Sequence, residues 1–418
     1  MKISERALSL ARGSESRYDE RADIRTHCLD EAKRGNIWAA DDPDRVAKRL
    51  AHVRETEMQL EGAEPALPST TAPAFASTAP GRAGAGIGSP GAAAGLPDDL
   101  VTALALERTI GRDDLVTPQF LRTALAASRS VCRITVRSES GGLLGYGTGM
   151  LVGPGVLLTN HHVLERVEDA AQSEATFGFE SGTTAPGAER IVRFEPQRFF
   201  LTDVDLDFTL VAVAAQDAQG HAIDDLGYVS LNGAEGKVIN SEFVNVIQHP
   251  NGGAKMLALR ENRVVDVLPD FLHYVADTAP GSSGAPVFND QFEIVALHHS
   301  GVPARDDKGN VLNRDGKPWT SDQGESAVQW KANEGVRVSV LVERARALVA
   351  DGPHKALIEQ VCDPAHALPR VMPPGTQPVN ERKGNDLLSA VGGPLTVTIP
   401  LSISITLGAQ PGAAVTVG

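Results

Sequence analysis

Three short stretches of the sequence carry the side chains that hydrolysis by a nucleophilic hydroxyl requires. A serine hydroxyl is a weak nucleophile at neutral pH, so it needs a base, a carboxylate that orients the base, and donors for the developing oxyanion. The candidate nucleophile is Ser283, in the segment PGSSGAP of residues 280–286. Its flanking glycines allow a tight turn, in which the N–H groups of Gly281 and Ser283 can face one oxyanion pocket.

The candidate base is His162, which follows the apolar run of residues 155–158 in the segment GVLLTNHHVL. An apolar strand that ends in a small polar turn can place an imidazole at the edge of a cleft, where a general base must work. The adjacent His161 is the alternative and is otherwise expected to be a solvent-facing turn residue. The candidate orienting carboxylate is Asp207, which comes directly before the apolar run 208–213.

The elements that must position these side chains are short and rich in β-branched residues, and turn residues separate them. This pattern indicates an all-β sandwich or barrel rather than βαβ units. The predicted strands are residues 131–136, 143–152, 156–159, 208–213, 243–248, 255–267, 272–277, 285–288 and 294–297.

Taken in this order, the motifs resemble those of the chymotrypsin-like (trypsin-like) serine peptidases, and within them the bacterial branch that includes the glutamyl endopeptidases. The resemblance covers about residues 130 to 340 and rests on GTG at 147–149, TNHHV at 159–163, DFTLV at 207–211 and GSSGAP at 281–286. It implies a mainly β fold of two packed β-barrels, with His162, Asp207 and Ser283 as a triad in the cleft between them. It also places His162, rather than His161, at the catalytic position.

The same resemblance assigns a substrate-binding set around the strand 294–297 and the run that follows it. The set consists of Thr278, His298, His299, Ser300 and Gly301. His298 and Thr278 fall where glutamyl endopeptidases hold a substrate carboxylate, which implies cleavage after an acidic residue. The alternative is that the two histidines line or pack the pocket without any charge preference. A zinc site at His298 and His299 is not expected, because adjacent strand residues point to opposite faces, and no cofactor is expected either.

Two further features of this region bear on activation and access. Ser282 stands where trypsin-type enzymes carry an Asp that pairs with a newly cleaved N-terminus, so activation by that route is not expected. Residues 305–317 form a polar insertion whose turn signals predict a hairpin beside the cleft.

Changes of composition along the sequence predict five segments. The Asp42-Pro43 pair is typical of a helix start, and an Ala/Pro/Gly-rich stretch cannot bury enough apolar surface to fold. The segments are a helical N-terminal module at 1–61, a flexible linker at 62–97, a peptidase domain with terminal helices at 98–362, a proline-rich linker at 363–390 and an alternating β-strand tail at 391–418. Within the tail, the strand Leu395 to Leu407 either completes the protein's own sheet, which we favour, or docks a partner by β-addition.

Bulk properties narrow the partners. With 39 basic and 53 acidic residues, the formal charge is −14, so no basic surface for nucleic acid is expected. We expect no membrane span and no signal peptide, hence a cytoplasmic location, and we interpret the three cysteines as reduced thiols. The expected partners are a protein or peptide substrate and a regulatory protein bound through residues 1–61 or the C-terminal strand.

These observations predict a serine endopeptidase that acts on few protein substrates through an acyl-enzyme. The alternative is a catalytically silent peptide-binding or scaffold protein on a protease fold. The presence of His162, Asp207, Ser283 and Gly281 together argues against that alternative, because a scaffold has no physical need for all four groups.

Overall fold

The computed structural model describes residues 5–34, 36–62, 116–182, 189–259 and 261–369. The predicted linker after residue 62, the predicted proline-rich segment after residue 369 and the predicted tail at 391–418 lie outside the described residues, so they stay predictions. Among the described residues, no helix has both the length and the apolar character needed to cross a bilayer.

The first half of the β structure is a seven-stranded sheet in which every pair of neighbours is antiparallel. Its order is β5-β4-β1-β2-β3-β7-β6. The strands are β1 (Val131–Arg137), β2 (Leu143–Gly153), β3 (Val156–Thr159), β4 (Glu174–Phe177), β5 (Arg190–Arg193), β6 (Phe200–Asp203) and β7 (Phe208–Ala212).

The second half is another antiparallel seven-stranded sheet, in the order β10-β11-β14-β13-β12-β8-β9. The strands are β8 (Asn245–Gln248), β9 (Met256–Ala258), β10 (Val264–Val267), β11 (Phe271–Tyr274), β12 (Pro286–Phe288), β13 (Ile294–Pro303) and β14 (Trp330–Arg337). Two sheets of this kind confirm the prediction of a mainly β fold.

Alternation along the strands divides the buried side chains between separate cores. Successive residues of a strand point to opposite faces, so Met150 and Val152 of β2 join one cluster and Leu151 joins another. The first of these clusters contains residues of both sheets, including Leu210 of β7 and Phe288 of β12. Because a fully buried side chain of this size stabilises by about 1.5–3 kcal/mol, this shared core accounts for the packing of one sheet on the other.

Helices flank the sheets. They are α1 (Glu5–Asp19), α2 (Ala22–Lys33), α3 (Pro43–Gly62), α4 (Pro118–Arg129), α5 (Val167–Gln172), α6 (Val338–Leu348) and α7 (Lys355–Val361). As the sequence predicts, α3 starts at Pro43, and Asp42 Oδ1 accepts the backbone N–H groups of Asp44 and Arg45. Helix α1 packs against β13 and α2 against β10, so the N-terminal helices lie on the second sheet.

Candidate active site

The base and its orienting carboxylate meet where β3 ends and β7 begins. His162 Nδ1 lies 2.7 Å from Asp207 Oδ2, and the backbone N–H of His162 donates to Asp207 Oδ1 at 3.0 Å. Asp207 is fully buried and has φ of +50°, a strained conformation for a residue with a side chain. Asn160 donates from its side chain to the backbone carbonyl of Asp207 at 2.9 Å, which holds the two segments together.

The Asp207 carboxyl is ionised in spite of its burial. Burial alone favours the neutral acid, but the charge and hydrogen bond of His162, together with the nearby His299, hold the pKa of Asp207 well below its usual value. An ionised carboxylate at this position fixes the imidazole of His162 with its Nδ1 proton toward Asp207.

The turn that carries Ser283 comes from the second sheet and packs on the first. Thr148 of β2 donates from its backbone N–H to the Ser283 carbonyl at 2.8 Å and from its hydroxyl to the Gly281 carbonyl at 2.8 Å. A Cβ on Gly284 would lie 2.1 Å from Thr148 O and 2.3 Å from Thr159 Oγ1. The half-buried Ser283 is therefore held against the strand ends that lead to His162.

The serine turn has two backbone donors and one hydroxyl that are free to contact a substrate. Within the residues that the structure describes, the N–H groups of Gly281 and Ser283 and the Ser283 hydroxyl have no hydrogen-bond partner. Gly281 has φ of +94°, in the region that favours glycine. Two free backbone donors are what a developing oxyanion requires, and the free hydroxyl beside them is the candidate nucleophile. The hydrogen bond between base and nucleophile commonly tightens only when substrate binds.

A second histidine, His299, contacts the same carboxylate as His162. Its Nδ1 is 3.4 Å from Asp207 Oδ2, and its Nε2 is 2.9 Å from Glu334 Oε1. Its ring stacks on Phe271 at 5.5 Å. Burial favours the neutral ring, but the two carboxylates outweigh it and raise the pKa of His299 to about 9, so the ring is an imidazolium at neutral pH. His299, which the sequence assigns to the substrate-binding set, is thus in contact with the orienting carboxylate.

Glu334 of β14 completes this buried group and receives donors from the N-terminal helices. It accepts hydrogen bonds from Ser14 at 2.7 Å, from Arg17 Nε at 2.9 Å and from His273 at 2.7 Å. Burial opposes its charge, but the hydrogen bonds of Arg17, His273 and His299 hold the pKa of Glu334 well below its usual value. No local sequence motif identifies Glu334 or Arg17. The one sequence signal for Glu334 is a single glutamate between Asn333 and Gly335. The structure shows that both neighbours are buried.

The remaining residues of the predicted substrate-binding set differ from one another. His298 is buried, and its Nδ1 contacts the Tyr274 hydroxyl at 2.7 Å. Burial, with the charges of His299 and His162, lowers the pKa of His298 to about 3, so this ring is neutral. The Thr278 hydroxyl donates to Asn333 Oδ1 at 2.8 Å.

Gly301 and Ser300 lie farther along β13. A Cβ on Gly301 would be 2.8 Å from the Trp330 ring, so the indole covers that position, and Ser300 is half-buried. His161 is buried and contacts Thr202 Oγ1 at 2.7 Å. The expectation that His161 faces solvent is therefore wrong, because the turn buries its ring against β6.

The segments that form the candidate active site are similar in sequence to a known protein family. The sequence model of the trypsin-like peptidase domain matches residues 147–297, a range that contains His162, Asp207 and Ser283. The protein is also 39% identical over 270 residues to the uncharacterized protein y4fB of Sinorhizobium fredii (strain NBRC 101917 / NGR234). That match covers 58% of this protein and 40% of the relative, so it spans less than half the length of y4fB. The family match supports a trypsin-like serine peptidase.

Proposed function

We propose that this protein is a serine endopeptidase, with His162, Asp207 and Ser283 as its catalytic triad. The observation that carries the proposal is the buried, ionised Asp207 in a 2.7 Å hydrogen bond to His162, beside a serine turn with free backbone donors. A trypsin-like peptidase domain over residues 147–297 supports the same assignment.

In the proposed reaction, Asp207 accepts a hydrogen bond from the Nδ1 N–H group of His162, so Nε2 is the basic nitrogen. Nε2 takes the proton of the Ser283 hydroxyl while the Ser283 oxygen attacks the substrate carbonyl. The N–H groups of Gly281 and Ser283 donate to the oxyanion. His162 then protonates the leaving amine, and the C–N bond breaks to leave an ester on Ser283. Water, deprotonated by His162, attacks that ester. The bond to the Ser283 oxygen breaks, His162 returns its proton to that oxygen, and the acid is released.

For the protein as a whole, we propose that the two antiparallel sheets are the two barrels of a chymotrypsin-like fold within residues 98–362, and that residues 1–61 are a helical module attached to the second barrel. The core shared between the sheets and the packing of α1 on β13 support this arrangement.

We propose His298 as the group that recognises an acidic side chain before the cleaved bond. Its neutral ring supports this role: with the Tyr274 hydroxyl donating to Nδ1, the ring proton is on Nε2, which can donate to a carboxylate. The hydroxyl proton of Thr278 is already given to Asn333, so the role falls to His298 alone. Matched peptides with Glu or Gln at this position test it: the expected result is a higher kcat/KM for Glu that disappears in Tyr274→Phe. Equal rates in the wild type contradict the assignment.

Active-site labelling tests the function itself. A fluorophosphonate probe is expected to label the wild-type protein, and labelling is expected to vanish in Ser283→Ala and in His162→Ala. Ser282→Ala is the matched control because the neighbouring hydroxyl only accepts the Ala279 N–H, at 3.2 Å. Absence of labelling in the folded wild type, together with no newly cleaved termini in a proteome, would leave the silent scaffold as the better account.

A further inference from the structure

Helix α1 places a charged side chain at the back of the candidate active site. Arg17 donates to both carboxylate oxygens of Glu334, and its guanidinium lies 3.9 Å from the centre of the Phe271 ring, which stacks on His299. Ser14, one turn earlier on α1, donates to the same carboxylate. The helix therefore supplies donors to a glutamate that is fully buried in the second sheet.

From Glu334 three further contacts lead to His162. His299 Nε2 meets Glu334, and its Nδ1 meets Asp207 at 3.4 Å. Asp207 in turn holds His162. We call the four residues Arg17, Glu334, His299 and Asp207 the ionic series. Cations and anions alternate along it.

The charges of the ionic series balance only with the helix in place. His299 offsets one of the two carboxylates, and Arg17 offsets the other. The groups facing Glu334 and His299 from the packed elements are Ser14 and Arg17 on α1, His273 and Tyr274 on β11, His298 beside His299 on β13, and Asp207 with His162 at the first sheet. Without Arg17, an uncompensated buried carboxylate competes with Asp207 for the single imidazolium, and an unpaired buried charge is strongly unfavourable.

We propose that Arg17 is a positioning residue of the triad: docking of α1 neutralises Glu334, which leaves the His299 ring free to hold Asp207 against His162, so the N-terminal helices switch the peptidase on. This inference rests on the proposed function of the triad. It gives Arg17 a role in catalysis that acts through the ionic series, without contact with substrate.

The segment just after α1 offers a control for the loss of an ion pair alone. Arg21 makes a bidentate ion pair with Asp266 of β10, at 2.7 and 2.8 Å, just beyond the end of α1. Asp266 has no contact with the ionic series. Arg21→Met therefore removes one ion pair with β10 but leaves the charges behind Asp207 unchanged, and the contacts of Ser14 and Arg17 with Glu334 still hold α1 on the second sheet. Arg12→Met serves as a surface control on α1, since Arg12 is exposed.

Steady-state kinetics over pH on the full-length protein test the proposal. For Arg17→Met we expect kcat to fall roughly ten- to a hundred-fold, as for a slightly misplaced catalytic group, with KM within about two-fold. The acidic limb of kcat/KM should move to higher pH, because an extra negative charge favours the protonated form of the base. Arg17→Lys, which keeps the charge, should recover most of the loss. Arg21→Met and Arg12→Met should show neither change.

A double variant removes the remaining ambiguity between folding and positioning. In Arg17→Met/Glu334→Gln both charges are gone, so His299 and Asp207 again form a balanced pair, and kcat should rise above that of Arg17→Met. Equal losses in Arg17→Met and Arg21→Met, or a double variant no better than Arg17→Met, overturn the proposal. A wild-type protein that neither labels nor hydrolyses peptides instead refutes the proposed function. The Arg17 dependence of the His162 Nδ1 proton resonance in Ser283→Ala then still tests the ionic series.

Discussion

Asp207 is surrounded by more charge than its own motif contains. The sequence motifs identify His162, Asp207 and Ser283 as candidates because each stands at a characteristic place on a short strand or turn. Glu334 and Arg17 cannot be found in this way, since they are separated by 317 residues and meet only after both sheets and α1 have formed. A short sequence motif indicates only the geometry of the strand or turn that contains it. An ion pair between distant segments produces no such motif.

At the residue scale, Asp207→Asn is the most direct test of the orienting role. The amide keeps the shape but can hold the imidazole in the wrong tautomer, so we expect kcat to fall by about 10⁴-fold, the size found for this substitution in a trypsin-type triad. Peptide hydrolysis at saturating substrate measures it. Asp205→Asn is the control, and a loss smaller than about ten-fold contradicts the assignment.

A second residue-scale prediction concerns His299 and pH. Its folded pKa of about 9 lies above its ordinary 6.5, so its contribution to stability is complete below pH 6.5 and is lost as the pH rises through 9. A shift of this size corresponds to about 3 kcal/mol. Urea unfolding at pH 7 and pH 10 should show this loss in the wild type and in His298→Gln, since His298 does not titrate in this range. In His299→Gln the loss should be absent, and an unchanged pH dependence there contradicts the prediction.

At the element scale, the strands around the catalytic motifs are the easiest to predict because they are apolar on both faces. Residues 156–159 form β3 as predicted, whereas the predicted strand 255–267 contains two strands, β9 ending at Ala258 and β10 starting at Val264. Four strands, β4, β5, β6 and β14, are not predicted from the sequence. Sequences such as RIVR in β5 and WKANEGVR in β14 mix charged and apolar residues, and only pairing with a neighbouring strand makes them regular.

The contact between the serine turn and the first sheet gives an element-scale prediction. Gly284→Ala would force a methyl group to within 2.1 Å of Thr148 O, in addition to a φ of +85°, so we expect a loss of at least about 2 kcal/mol of unfolding free energy and no fluorophosphonate labelling. Gly316→Ala is the matched control: its φ is +72° but nothing lies within 4 Å, so only the backbone cost of about 1 kcal/mol applies. Similar losses in both variants contradict a steric origin.

At the scale of the whole molecule, the N-terminal helices are attached mainly through charged side chains. Arg49 of α3 is buried and donates to Glu242 at 2.9 Å, and His52 contacts the buried Glu293 at 2.7 Å. The sequence predicts a helical module that needs something to pack against but not which surface receives it. Acidic residues spread over many segments form that surface.

Arg49 allows this attachment to be measured. Arg49→Met leaves the half-buried Glu242 without its cation, so we expect unfolding free energy to fall by about 2 kcal/mol. Arg54→Met on the exposed side of the same helix should change it by less than about 0.5 kcal/mol. Denaturant unfolding of the full-length protein measures both. Indistinguishable curves for the two variants would mean that α3 contributes little to the stability of the sheets.

Gly236 sets a different kind of constraint on the same helix. A Cβ there would lie 2.5 Å from the carbonyl carbon and the carbonyl oxygen of Lys48, in α3. Backbone meets backbone at this point, so side-chain repacking cannot relieve a clash. Gly236→Ala should therefore push α3 away from the second sheet by steric contact, although the substitution itself removes no ionisable side chain. It offers a way to weaken the attachment of the helices without changing the charge of the protein.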